Sequence, residues 1–319
     1  AFGEAWELPN ATAYNETCAA IGAVLWNQRL FLDSGDAQYY DALEQTLYNG
    51  LISGVSLSGD RFFYVNPLES DGATAFNHGA ACRQAWFEVS CCPGSLSRFF
   101  PDLPGYLYAV RGADLYVNLY AASRTRISLD GGVLAVEQTG DYPWSGAVGL
   151  KLETAGPVDA RLRLRIPGWV HGRIMGSGLY RFADAQAGGS ELLVNGRPRP
   201  LNMVDGYAVV EGPWRSGDSI ELSLPMAARK VVCDPRVEAD RGKAALQRGP
   251  IVYCVEGRDS RLPVETLSWG DPGLFEPVRD PAVLGGAVRL VGPDFSAIPY
   301  YAWANRGPDA MRVWLDEGA

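Results

Sequence analysis

Four side chains in this sequence have types and spacing suited to metal chemistry. Glu16 and Cys18 lie two residues apart, and Cys91 and Cys92 form an adjacent pair far downstream. Three thiols and a carboxylate can close a tetrahedral site around a zinc ion. Adjacent cysteines rarely bond to each other, because the eight-membered ring strains disulfide geometry. The pair is better read as two ligands delivered by one tight turn, which Pro93 and Gly94 would supply. A plainer reading competes: free cysteine is often just a small buried apolar residue, and the pair lacks the C-x-x-C spacing of familiar zinc sites. The other cysteines, Cys82, Cys233 and Cys254, have no partners at metal spacing. Cys233 and Cys254 fall in strand-like stretches and are expected in the core; Cys82 falls in a loop and either reading stays open.

The elements around these residues must make them converge. In mid-helix, positions two apart point to different faces, but at a helix start both side chains can reach one point. Residues 10–15 read as a polar loop. Cys18, Ile21, Leu25 and Leu32 then recur at roughly helical spacing, predicting a helix near 16–32 with Glu16 favourably placed in its first turn. The stretch 33–36 (Asp-Ser-Gly-Asp) breaks it and caps a second helix, which carries Tyr40, Leu43, Leu47 and Leu51 on one face and ends at Gly54. This is an αα-hairpin. Residues 62–67 are apolar and then turn, a long loop runs to Cys91, and a short helix is expected from Leu96. After Pro104 the pattern becomes one of strands. Residues 115–120 read as a strand, and 161–166 alternate strictly, as in a half-buried strand. Leu192, Leu193 and Val194 ahead of Asn195-Gly196 signal a hairpin. Residues 220–224 alternate again, and 251–255 form an apolar run. Short strands with regular turns argue for a β-sandwich, with a further β unit from about residue 227. The Gly-rich stretch 176–189 reads as a surface insertion. Two or three helices cannot bury their apolar faces alone, so more helices are expected to complete the helical part.

Composition narrows the function. A chain of 319 residues, 47% hydrophobic, suggests two or three domains with sizeable cores. A net charge of -9 argues against nucleic acid as a partner. No apolar run approaches a membrane span, and the first residues do not resemble a signal peptide. Six cysteines in this length do not make a disulfide scaffold. A reducing, cytoplasmic location is therefore expected, with a mature secreted or periplasmic chain as the alternative. Nine Trp and fifteen Tyr suit sugar binding, but equally suit large sandwich cores.

The sequence resembles glycoside hydrolase family 127, the β-L-arabinofuranosidase family. The likeness rests on Tyr14-Asn15-Glu16-Thr17-Cys18 and on Trp26-Asn27-Gln28-Arg29-Leu30. It continues through Tyr64-Val65-Asn66-Pro67-Leu68, Cys91-Cys92-Pro93 with Arg98, and Pro104-Gly105-Tyr106. Leu164-Arg165-Ile166-Pro167-Gly168-Trp169 and Arg248-Gly249-Pro250-Ile251-Val252-Tyr253 extend it over nearly the whole chain. The resemblance implies an α+β multidomain chain: the C-terminal part of an (α/α)6 barrel over 1–106, a β-sandwich over 107–226 and a second sandwich-like domain over 227–319. It also implies zinc held by Glu16, Cys18, Cys91 and Cys92, with Cys91 as nucleophile of a retaining double displacement that passes through a thioglycosyl intermediate. The implied substrate is a plant-type arabinose-containing oligosaccharide or glycoconjugate. The family's acid/base glutamate precedes an Ala-Phe-Gly segment like Ala1-Phe2-Gly3, and its sugar-binding histidines belong to the other half of the barrel. Neither His78 nor His171 matches those positions. Glu4 and Glu7 read as solvated residues of a lead-in loop. Taken alone, this stretch is expected to show little activity and to need an N-terminal half or association with another copy. Ser95 stands where many relatives have asparagine. The alternatives are a non-catalytic carbohydrate-binding or structural β-sandwich protein with a vestigial barrel, and a purely structural zinc site. Arg29 and Arg98 either orient substrate or pair with carboxylates. Trp86 and Phe87 either wall a sugar subsite or, as is expected, pack, and residues 300–303 are expected to close the last sandwich.

Overall fold

The computed structural model describes residues 3–175, 178–184 and 189–318. Among these, three α-helices and three sheets form a mostly β, multidomain architecture. Helix α1 spans Thr17–Ser34. Gly35 ends it in a left-handed conformation (φ 78°), donating its N–H to the Phe31 carbonyl at 2.7 Å, the closure that glycine permits without steric cost. Asp36 then accepts the Gln38 N–H at 2.9 Å, and α2 (Gln38–Gln45) runs on into a π-turn (Thr46–Leu51) and a 3-10 turn (Ile52–Gly54). Tyr40, Leu43, Leu47 and Leu51 are all buried, as their spacing predicts. The stripe of α1 differs. Ile21, Val24 and Phe31 face the core, whereas Leu25 and Leu32 are 45% and 49% exposed and Trp26 is exposed beside them. Periodicity identified the helix but not which part of its apolar surface finds a partner within the described residues.

Gly54 is required by a close approach, because a Cβ there would collide with the Thr17 side chain. Thr17 donates to the Phe63 carbonyl at 2.8 Å and accepts from Asn66 at 3.0 Å. Gly54→Ala should therefore displace a bonded buried residue next to Glu16 and Cys18. We expect it to cost about 1–3 kcal/mol, read as a lowered urea midpoint; an unchanged midpoint would show that Thr17 moves freely.

Helix α3 spans Cys91–Asp102 and starts earlier than its apolar pattern suggests. Cys91 and Cys92 are its first two residues, so no separate Pro93-Gly94 turn delivers them. Proline is tolerated in a first helical turn, where its missing N–H would have had no intrahelical acceptor. Phe99 and Leu96 of α3 join the core of α1 and α2, which is completed by Tyr116 and Tyr207 from the following sheet and by Leu119 from the loop beside it.

The strands are β1 (Glu69–Asp71), β2 (Tyr108–Arg111), β3 (Asp114–Val117), β4 (Ser123–Leu129), β5 (Gly132–Gly140), β6 (Ala147–Glu153) and β7 (Arg161–Arg165). There follow β8 (Tyr180–Phe182), β9 (Glu191–Val194), β10 (Arg197–Arg199), β11 (Met203–Val204), β12 (Tyr207–Glu211), β13 (Ser219–Ser223) and β14 (Ala228–Cys233). The last are β15 (Lys243–Arg248), β16 (Ile251–Glu256), β17 (Glu276–Arg279), β18 (Val288–Val291), β19 (Ser296–Pro299), β20 (Ala310–Arg312) and β21 (Leu315–Asp316). A five-stranded sheet has the order β11-β12-β7-β3-β2, with β3 and β7 parallel, and a six-stranded sheet has the order β10-β9-β13-β6-β5-β4. Leu162 and Leu164 of the first sheet share one core with Leu134, Leu150 and Ile220 of the second. The β9–β10 hairpin turns on Asn195 (φ 52°) and Gly196 (φ 71°), the pair of positive φ values that a two-residue hairpin loop needs. The third sheet runs β17-β18-β19-β16-β15-β14-β8, with β1, β20 and β21 attached, over its own core of Leu246, Tyr253, Trp269 and Leu290.

Three readings need correction here. Strand β7 alternates, but its polar face meets water only at one end: Arg161 is exposed and Arg163 half-buried, whereas Arg165 is 0% exposed, because that end of the sheet packs on α2. The strand expected over 115–120 stops at Val117, although Leu119 and Tyr120 remain buried. Within the Gly-rich stretch, residues 180–182 form β8, paired with β14; residues 176–177 and 185–188 lie outside the described residues.

Candidate metal centre

Glu16 is the residue ahead of α1 and is extended (φ -73°, ψ 135°), whereas Cys18 already lies in the first turn. That change of backbone conformation lets side chains two apart point to one place. Glu16 forms a bridge with Val65, and Thr17 donates its N–H to the Tyr64 carbonyl at 3.1 Å, so the start of α1 is fixed against 64–66. Further back, Leu68 donates to the Asn10 carbonyl, and Asn10 is anchored to Asp240 at 2.7 Å. The start of α3 arrives from the other side.

The two helix starts bring Glu16, Cys18, Cys91 and Cys92 together, one ligand atom from each lying within 4.8 Å of all the others. Cys18 Sγ is 3.4 Å from both Cys91 Sγ and Cys92 Sγ, and the latter two are 3.8 Å apart. Glu16 Oε1 lies 3.5 Å from Cys91 Sγ and 3.9 Å from Cys92 Sγ. All these cysteines are free, and the sulfur separations are far beyond the roughly 2.05 Å of a disulfide. Cys92 is fully buried, whereas Cys18 and Cys91 are half-buried. Burial pushes the Cys92 and Cys18 thiols up, and Glu16 forms no ion pair among the described residues. Crowded sulfur atoms beside an unpaired carboxylate are what a cation would stabilise.

Sequence reasoning missed several neighbours. The Tyr64 hydroxyl lies 3.0 Å from Cys91 Sγ, and that hydrogen bond, with burial, raises its pKa. Ser95 Oγ lies 3.5 Å from Cys18 Sγ. His78 packs on Tyr64, with ring centroids 4.2 Å apart. Tyr64 stood out only as part of a short apolar run and of the family-like stretch 64–68, with no sign of its contact to Cys91, and nothing local announces His78. Phe87 is buried against Tyr64 as expected, but Trp86 is 61% exposed rather than packed. Arg29 and Arg98 form no ion pair among the described residues; Arg98 reaches only the Gly94 carbonyl at 3.5 Å. Glu4 and Glu7 line a surface groove with Trp6, Arg236 and Arg241. His171 ends a turn after β7. Tyr300 donates to the Pro67 carbonyl at 2.8 Å and Trp303 stacks on Phe63 at 4.8 Å, so this C-terminal turn braces the segment carrying Tyr64. Cys254 is core, while Cys82 and Cys233 are half-buried.

Comparison with known proteins agrees over the whole length. Residues 1–105 match the family profile described as the β-L-arabinofuranosidase GH127 catalytic domain, 114–226 the GH127 middle domain, and 228–316 the glycoside hydrolase family 127 C-terminal domain. A curated non-reducing end β-L-arabinofuranosidase from Bifidobacterium longum subsp. longum is 31% identical, with 97% of this chain and 50% of the relative covered. A solved GH127 β-arabinofuranosidase is 43% identical with a TM-score of 0.91, covering 99% of this chain and 51% of that one. A crystal structure of a GH127 β-L-arabinofuranosidase from Geobacillus stearothermophilus is 34% identical with a TM-score of 0.86, covering 98% and 51%. The chain thus spans about half the length of the relatives it matches. With all three of its parts aligned to one family's catalytic, middle and C-terminal domains, the chain belongs to glycoside hydrolase family 127.

Proposed function

We propose that this chain carries the nucleophile and metal site of a zinc-dependent retaining glycoside hydrolase acting on β-L-arabinofuranosides. The supporting observation is the convergence of three thiols and one carboxylate on a single point. The donor set fits zinc in size as well as type: a tetrahedron with metal–sulfur bonds of about 2.3 Å has edges of about 3.8 Å, close to the observed sulfur separations of 3.4–3.8 Å. Glu16, Cys18, Cys91 and Cys92 would hold the ion. Once bound, zinc would keep its thiol ligands deprotonated at neutral pH.

Cys91 is assigned the attack. Its thiolate forms a bond to the anomeric carbon as the glycosidic C–O bond breaks, and the departing oxygen takes a proton from a general acid. Water, giving a proton back to the group that acted as acid, then attacks the same carbon, the C–S bond breaks to return the thiolate, and two inversions leave the configuration retained. Tyr64, holding its proton, would donate a hydrogen bond to the sulfur and steady its charge between turnovers. Glu4 and Glu7 face a different groove, so neither is assigned the acid. That role, and the rest of the sugar pocket, are assigned to the part of the family's length that these residues do not span. In this reading 1–106 are the last helices of an (α/α)6 barrel, 107–226 a β-sandwich and 227–319 a second sandwich-like domain, with an arabinose-containing plant-type glycan as substrate.

A closed set of four ligands is also what a structural zinc uses. Catalysis is favoured because Cys91 alone of the three thiols has a tyrosine hydroxyl at 3.0 Å, and it is half-buried where Cys92 is sealed. The test is elemental analysis of the complete polypeptide, together with L-arabinose release from an aryl β-L-arabinofuranoside. About one zinc per chain is expected, with activity lost on chelation and restored by zinc. Zinc-replete protein inert on the furanoside would establish the structural reading, and activity without zinc would end both.

A further inference from the structure

We infer that His78 is a sugar-contacting residue of this site, its imidazole hydrogen-bonding a hydroxyl of the arabinofuranose held beside Cys91. The inference rests on the proposed glycosidase reading and adds a residue to it. His78 is exposed, and its ring nitrogens make no hydrogen bond among the described residues, where only its carbonyl is used, by Gln84 at 3.1 Å. Its ring lies 4.2 Å from that of Tyr64 and 5.8 Å from that of Phe87. The hydroxyl of Tyr64 lies 3.0 Å from Cys91 Sγ. One tyrosine ring therefore links the imidazole to the sulfur.

This placement is held by buried bonds. Asn77, fully buried, accepts the Tyr64 N–H at 2.8 Å and donates to the carbonyls of Phe62 and Cys82 at 3.2 and 2.9 Å. Asn77 and Ala80 pair across the turn, and Gln84 donates to the Asn77 carbonyl. The turn forces His78 into the left-handed region (φ 50°), a conformation that costs a side chain free energy and collects at functional sites. The result is an oriented, exposed imidazole. A neutral imidazole offers one donor and one acceptor, which matches a sugar hydroxyl that both gives and takes a hydrogen bond.

Packing alone would also explain a ring against Tyr64, and the two roles separate by substitution. His78→Phe keeps an aromatic ring but no hydrogen bond; His78→Asn keeps a donor and an acceptor and tolerates positive φ. In the complete zinc-loaded enzyme, assayed with an aryl β-L-arabinofuranoside, His78→Phe should raise KM and the inhibition constant of free L-arabinose about tenfold, the scale of one lost hydrogen bond. Its kcat and zinc content should stay near wild type, and His78→Asn should recover most of the affinity. A phenylalanine variant with wild-type KM, or an asparagine variant that keeps its zinc but recovers none of the affinity, would overturn the assignment in favour of packing. A wild-type enzyme no more active than Cys91→Ser would fail the underlying reading instead, and with it this one.

Discussion

Cys91→Ser should abolish turnover of a β-L-arabinofuranoside, lowering kcat on the order of 10⁴-fold or more, as loss of a nucleophile does elsewhere. A serine hydroxyl is not ionised near neutral pH, and its neighbours here would not activate it: Tyr64 holds its proton firmly, the other thiols belong to the cluster, and the Glu16 carboxylate, 3.5 Å from the Cys91 sulfur, is assigned to the zinc in this reading. The variant should also bind zinc more weakly, because one of four ligands is lost. Metal content must therefore be measured with the rate. Saturating zinc should refill the site without restoring activity, and that separates a nucleophile from a mere ligand. Cys82→Ser is the control: Cys82 has its sulfur 3.6 Å from the Arg83 carbonyl and takes no part in the cluster, so its rate should stay within a few-fold of wild type. If zinc-saturated Cys91→Ser kept a tenth of the activity, the nucleophile would have to be sought elsewhere.

The largest stability effect is expected at Arg165. Its guanidinium is fully buried, pairing with Asp41 at 2.9 Å and Glu44 at 2.5 Å, while Nε donates to the Asn118 carbonyl at 2.6 Å. Burial disfavours its charge, but Glu44 and Asp41 more than offset this and hold its pKa above the ordinary value. Tyr142 donates to Glu44 at 2.7 Å, Asp41 accepts the Gly168 N–H at 2.9 Å, and Tyr120 donates to the Arg165 carbonyl. The network ties α2 to β7 and the turn after it. Arg165→Met should cost about 3–5 kcal/mol, because it leaves the Glu44 carboxylate buried without its cation. Burial already holds the Glu44 pKa above its ordinary value in the intact network, and without the cation it would rise further. The deficit should therefore be smallest at low pH and grow as the pH rises through the shifted value. Adding Glu44→Met should recover much of the loss, since well-packed apolar groups can replace a buried pair. Urea unfolding at several pH values checks this; a loss under about 1 kcal/mol, independent of pH, would show that water reaches the site.

The neighbouring corrections have the same origin as Arg165. Strict alternation in β7 marked a strand, and local sequence cannot say whether its polar face meets water or a helix. For Leu25 and Leu32 the error ran the other way, because apolar spacing announces a surface and leaves its partner unstated.

What the sequence determined by itself is chemistry that acts over a few residues. The Asn195-Gly196 hairpin, the stop at Gly35 and the buried face of Tyr40, Leu43, Leu47 and Leu51 follow from backbone preference and period. The residue types of Glu16, Cys18, Cys91 and Cys92 likewise offered a donor set suited to a soft metal, beside the plainer reading of small buried cysteines. That these four meet was decided only by tertiary structure, which sets the start of α1 against the start of α3 across more than seventy residues of chain. The same holds for Tyr64 on Cys91 and His78 on Tyr64: their contacts arise from a buried asparagine and a brace from the C-terminal turn. Such contacts depend on packing between distant segments, and spacing along the chain carries no record of them.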